Sequence, residues 1–201
     1  MAYWKRKHTT LAAFLTAALT ATLFTAPTHA KELAIWDQLQ GTNPKGYVLL
    51  MRHALAPGVG DPENFNVNDC STQRNLNEEG RQDARDIGQW LQRREVKILR
   101  VESSRWCRAK ETAQLLNIGK VRPNKNLDSL FEESDLLNHP QTANIKKRIQ
   151  SHRNTRGLLV FVGHFVNFQA VAGVSLDSGE GVLIKATPTG EFKVMGYSPK
   201  P

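Results

Sequence analysis

Two apolar runs of strand length, Tyr47–Met51 and Leu158–Gly163, are followed at once by polar residues: Arg52 and His53 after the first, His164 after the second. Both runs are built from leucine, β-branched and other apolar residues and are bounded by turn residues, so they read as short buried strands. Each strand therefore delivers a histidine to its carboxyl end. In an open α/β sheet that edge is where the ligand crevice lies. Two imidazoles and a guanidinium at one such edge point to anion chemistry.

The rest of the chain supplies the helices of such a sheet. Asn77 is placed to cap a helix opening on Glu78 and Glu79, whose carboxylates suit the positive end of its dipole. Ala84, Ile87, Gly88 and Leu91 recur at helical spacing and mark its buried face. Ile98–Glu102 reads as a second strand running into Ser103 and Ser104, and a helix follows from Trp106 to Leu116. After an irregular stretch come a basic helix over Thr142–His152, the strand that leads into His164, and a helix over Asn167–Ala172. Val182–Ala186 and Glu191–Met195, separated by Pro188 and Gly190, form a closing hairpin. No element is assigned to the lead-in segment Lys31–Lys45. Strands alternating with helices predict a three-layer α/β/α domain, its sheet mostly parallel with helices on both faces. Residues 54–73 form a long loop, and long structured loops in compact domains are usually functional.

Residues 1–30 have the make-up of a signal peptide: Lys5, Arg6 and Lys7, then an apolar stretch over Leu11–Phe24, then the small-residue end Thr28-His29-Ala30. The stretch is short for a membrane span, which needs about 20 apolar residues, although an uncleaved N-terminal anchor is the alternative. Either way residues 31–201 are expected as one exported domain, periplasmic or secreted, touching a membrane only through an uncleaved N-terminus. Removing the three basic residues of the signal segment lowers the net charge from +8 to +5. That excess favours anionic partners such as phosphoesters. No basic run is interleaved with aromatics, so nucleic acid is not an expected partner. The two cysteines, Cys70 and Cys107, read as a disulfide in an exported chain.

Three loops leave one edge of the predicted sheet, carrying Arg52 and His53, then Ser103, Ser104 and Arg108, then His164. Arg108 lies one turn into a helix and can join the helix amides in facing an anion. Two guanidiniums offer phosphate planar, charge-assisted forks of donors. A neutral imidazole beside them can attack phosphorus, dividing one hard hydrolysis into two easier steps. The second imidazole can stabilise charge that grows on a phosphoryl oxygen. His53, His139, His152 and His164 lack zinc-ligand spacing such as His-Glu-x-x-His, so neither a metal nor another cofactor is expected.

With these residues in place the chain resembles the histidine phosphatase superfamily, the phosphoglycerate-mutase-like proteins. The family's Arg-His-Gly stands here as Arg52-His53-Ala54, its Leu-Thr and Gly as Leu76-Asn77 and Gly80, and its Ser-Ser-Pro-Leu-x-Arg-Ala as Ser103-Ser104-Arg105-Trp106-Cys107-Arg108-Ala109. The late Gly-His is Gly163-His164. The four matches come in family order.

The resemblance implies a phosphatase in which His53 is phosphorylated, and Arg52, Arg108 and His164 hold the phosphate. The family's Leu-x-Glu pattern falls on Leu130-Phe131-Glu132, which makes Glu132 the candidate general acid, with Glu133 and Asp135 as alternatives. Ala54 replaces a glycine, and the family's Asn beyond the nucleophile is not evident in the Pro57–Pro62 loop. Only 31 residues separate Glu132 from His164, too few for a large cap domain, so the crevice should be open. An open crevice fits a terminal phosphomonoester on a bulky molecule better than a small metabolite that must be enclosed, and the expected partner is a phosphorylated small molecule or a phosphorylated envelope glycan or lipid. Small secreted relatives include a phosphatase of the lipopolysaccharide core heptose. A phosphotransferase or mutase, and a non-catalytic phosphate-binding domain, are the competing readings.

Overall fold

The computed structural model describes residues 28–199. The signal-peptide features lie, as far as Pro27, outside the described residues. Helices α1 (Thr28–Leu39), α2 (Glu78–Arg93), α3 (Cys107–Leu115), α4 (Pro140–His152) and α5 (Phe165–Ala172) surround one sheet. Its strands are β1 (Tyr47–Arg52), β2 (Ile98–Ser103), β3 (Val121–Pro123), β4 (Leu158–Gly163), β5 (Gly181–Ala186) and β6 (Phe192–Tyr197). The strand order is β3-β2-β4-β1-β5-β6. β3, β2, β4 and β1 pair in parallel, whereas β5 is antiparallel to both its neighbours, so β5 alone runs against the others.

The two apolar runs become the central strands, β1 and β4, paired side by side. Their residues alternate between two cores, as the period of a strand demands. Leu49, Met51, Val160 and Val162 face α1, α2 and α3. Val48, Leu50, Leu159 and Phe161 face α4 and α5, with Ile145, Ile149 and Phe168. This is the expected three-layer α/β/α arrangement. Each fully buried Leu, Val or Phe side chain contributes about 1.5–3 kcal/mol relative to exposure. α2 begins where expected: the Asn77 side chain accepts from the Gly80 amide at 2.8 Å. Gly80 itself has no room for a side chain, because an added Cβ would lie 2.2 Å from the Leu55 carbonyl oxygen. The loop after His53 thus presses directly on the first turn of α2.

Two elements lie outside the sequence expectation. The lead-in segment is largely helical: α1 packs Ile35, Trp36 and Leu39 into the first core, and Trp36 Nε1 donates to the Tyr197 carbonyl at 2.8 Å. β3, only three residues long and ending in Pro123, lies in the stretch read as irregular. Between α3 and α4 the chain contains only β3, one short 3₁₀ turn and irregular turns, with no added cap domain.

Candidate active site

The register of β1 against β4 places Arg52 opposite Gly163, so His53 and His164 leave adjacent parallel strands at the same level. Their rings meet edge to face, centroids 5.4 Å apart. On the other side of β4, Ser103 pairs with Val162, which brings Ser104 and then α3 to the same edge. The strand ends alone therefore assemble three of the predicted loops.

His53 is fixed at several points. Its amide donates to the Gly163 carbonyl at 2.9 Å, and its ring is buried. Nδ1 lies 2.8 Å from the Ala54 carbonyl, which can only accept, so Nδ1 carries the proton and Nε2 the lone pair. Nε2 in turn accepts from Arg108 Nε at 3.3 Å. Burial, reinforced by the fields of Arg108, Arg52 and Arg74, pushes the His53 pKa down to about 3, against the opposing hydrogen bond to Ala54. His53 is thus a neutral, pre-oriented base at ordinary pH. His164 is also held well below its usual pKa, by burial first and then by His53 and the arginines. Its Nε2 sits 3.0 Å from Ser104 Oγ. Thr112 joins nucleophile and helix: its hydroxyl donates to the Arg108 carbonyl at 2.7 Å and accepts from the Ala54 amide at 3.0 Å. Ala54 packs with Ala56, Leu76 and Ala84 in a small apolar cluster, so the extra methyl is accommodated.

Arg52, His53, Arg108 and His164 line one cavity of about 230 Å³. Arg52 is anchored by Nη1 donating to the Leu176 carbonyl at 3.0 Å, and it lies over the Phe165 ring. Two further polar residues of this cavity, Arg74 and Asp61, were not singled out from the sequence. Arg74 Nε donates to the Gly60 carbonyl at 2.9 Å and Nη1 donates to the Ala56 carbonyl, which pins the long loop. Asp61 takes Arg108 in a two-pronged ion pair, at 2.5 Å to Nη1 and 3.1 Å to Nη2, and also accepts from Trp106 Nε1 at 2.8 Å. Burial works to raise the Asp61 pKa, but the bonds from Arg108 and Trp106 and the fields of Arg108 and Arg74 hold it below the usual carboxylate value. Nothing in the sequence marks these two residues beyond their membership of the long loop and its end. Their roles depend on how that loop folds.

Cys70 and Cys107 are bonded, with Cα atoms 5.7 Å apart, and so clamp the loop to the first turn of α3. Gln73 strengthens the clamp: its Oε1 accepts from the Cys107 amide at 2.8 Å. Two amides at the start of α3 already have acceptors inside the protein. Gln73 takes the Cys107 amide, and Ser104 Oγ accepts from the Trp106 amide at 3.2 Å, while Arg108 lines the cavity. Ser103 is buried inside β2 and does not line the cavity. Glu132 and Glu133 are exposed and line an adjoining space of about 580 Å³, which shares Asp61, Ser129 and Phe131 with the first. Asp135 lines neither and accepts from the Asn138 side chain at 3.0 Å.

The sequence profile of the histidine phosphatase superfamily, branch 1, matches residues 48–157. No curated protein sequence matches the chain significantly. Among solved structures, the protein histidine phosphatase SixA complexed with tungstate is 17% identical, with a TM-score of 0.58 over 76% of this chain and 96% of its own. A phosphoserine phosphatase from Entamoeba histolytica, in complex with 3-phosphoglyceric acid, is 13% identical, with a TM-score of 0.56 over 77% of this chain and 97% of its own. A mycobacterial glucosyl-3-phosphoglycerate phosphatase with inorganic phosphate is 12% identical, with a TM-score of 0.58 over 77% of this chain and 97% of its own. At these identities the likeness is one of fold.

Proposed function

The chain belongs to the histidine phosphatase superfamily and is a phosphomonoester hydrolase; we propose that it works outside the cytoplasm, without a metal ion, through a phosphohistidine at Nε2 of His53. The observation that carries this reading is the state of His53. Its proton is committed to Ala54, and its lone pair faces the guanidinium of Arg108 inside the cavity. A phosphoryl group seated on Arg108 and Arg52 therefore meets a neutral nucleophile already aligned, so little reorganisation precedes attack. Three guanidiniums around one small space supply the charge that a metal ion would otherwise bring to phosphoryl transfer, and they disfavour a cation there. The disulfide and the signal-like N-terminus support an extracytoplasmic site of action.

The substrate class follows from shape. The phosphate cavity opens into a larger space without a cap domain, which suits a terminal phosphate on a small molecule or on an envelope glycan or lipid. The related folds act on, or are seen with, small phosphorylated acids and glycosides, which supports a phosphomonoester of similar kind. Turnover of p-nitrophenyl phosphate, measured with and without a chelator, tests the reading. The expected result is equal hydrolysis in both conditions, abolished in His53→Ala. Loss of activity with chelator would refute metal independence, and no hydrolysis by the wild type would favour a phosphate-binding domain.

A further inference from the structure

Among the described residues Asp61 is the one carboxylate that lines the cavity containing His53, and it also lines the adjoining space that shares residues with that cavity. Glu132 lines only the adjoining space. Asp61 further occupies the two terminal nitrogens of Arg108, the fork a phosphate would use, while Nε of the same guanidinium faces His53 Nε2. A carboxylate thus sits on the phosphate-binding arginine, one guanidinium away from the nucleophile.

We propose that Asp61 is the proton donor of the reaction, held on Arg108 until the substrate's phosphoryl group displaces it. The proposal rests on the phosphohistidine reading above. A phosphomonoester arriving as its monoanion gives its three non-bridging oxygens to the arginines and passes its proton to the released carboxylate. That transfer is favoured because Arg52, Arg74 and Arg108 stabilise the dianion, while Asp61, no longer paired with Arg108, faces the phosphate's negative charge with Glu63, Glu132 and Glu133 nearby. His53 Nε2 then forms the N–P bond as the P–O ester bond breaks. The electron pair leaves with the oxygen, which takes the Asp61 proton and departs as the alcohol. In the second half Asp61 as carboxylate takes a proton from the attacking water, the N–P bond breaks, and its electron pair returns to Nε2. The loop suits the exchange. Gly58 and Gly60, beside Asp61, both have positive φ, 95° and 70°, a backbone region that glycine enters without strain.

A displaced ligand that is also a proton donor leaves a signature that neither role gives alone. Asp61→Asn should bind inorganic phosphate about tenfold tighter by calorimetry, the scale of one lost charge-assisted contact. The same variant should lose about 10²- to 10⁴-fold in kcat on β-glycerol phosphate, whose alkoxide needs a proton, and far less on p-nitrophenyl phosphate. Glu132→Gln should leave the ratio of the two substrates unchanged. Weaker phosphate binding by Asp61→Asn, an unchanged substrate ratio in it, or a ratio that moves only in Glu132→Gln would each overturn the assignment. A crystal structure of the wild type with vanadate on His53 tests it without any variant. The Asp61 carboxylate should have left Arg108 and stand about 2.6–3.2 Å from the apical oxygen opposite Nε2. Asp61 still paired with Arg108 there would refute the proposal. Wild-type protein that binds phosphate but hydrolyses no phosphomonoester would sink the phosphatase reading instead, and the calorimetric comparison would still decide whether Asp61 competes for the phosphate seat.

Discussion

Removing the Cys70–Cys107 bridge by Cys70→Ser/Cys107→Ser tests how the site is held together. The two cysteines are 37 residues apart in sequence, and for a loop of that size the chain-entropy relation gives about 4 kcal/mol of stabilisation through the unfolded state. For a domain of this length each kcal/mol moves Tm by about 2–4 °C, so the variant should melt about 8–16 °C lower. The folded loop keeps other ties to α3, among them the Gln73 contact to the Cys107 amide, the Asp61 pair to Arg108 and the Ala54 amide on Thr112. Phosphate binding should therefore weaken by less than the stability loss alone would suggest. Differential scanning calorimetry of the variant and of reduced wild type, each with and without phosphate, reads both effects. A Tm change under about 2 °C, with the bridge shown by mass spectrometry to be present in the wild type, would refute the reasoning.

Two further perturbations follow from the same contacts. Thr112→Val keeps the shape of a buried side chain but leaves the Ala54 amide without its acceptor, which should cost about 1–3 kcal/mol in urea unfolding and lower kcat by loosening His53. His53 titrates near 3 when folded and near its ordinary 6.5 when unfolded, so between those values the unfolded chain binds more protons than the native one. Stability should rise with pH through that window and fall on acidification, His164 adding to the slope, and urea midpoints of His53→Gln should show a shallower dependence.

What the sequence made legible were features fixed by strand periodicity. Tyr47–Met51 and Leu158–Gly163 have few alternatives to buried strands, and residues directly after them cannot avoid the sheet edge, so Arg52, His53 and His164 could be placed early. Arg108 and the disulfide followed from spacing and context. Asp61 and Arg74 could not be placed in this way. Both act from the segment joining β1 to α2, where no periodicity constrains which side chains turn inward, and their contacts are to carbonyls and to Arg108 across the fold. α1 was missed for a related reason: its anchor Trp36 gains its meaning from Trp90 and Tyr197, distant in sequence. That Gln73, in another segment, takes the Cys107 amide at the start of α3 was likewise not legible, because the contact joins residues distant in sequence.

Covalent catalysis at His53 can be caught by rapid quench of the wild type in alkali during turnover of a radiolabelled phosphomonoester. Label is expected on one peptide containing His53, bonded at Nε2, stable in base, released in acid and absent from His53→Ala. Label on a different residue, or full turnover with no labelled protein and inverted stereochemistry at phosphorus, would contradict it.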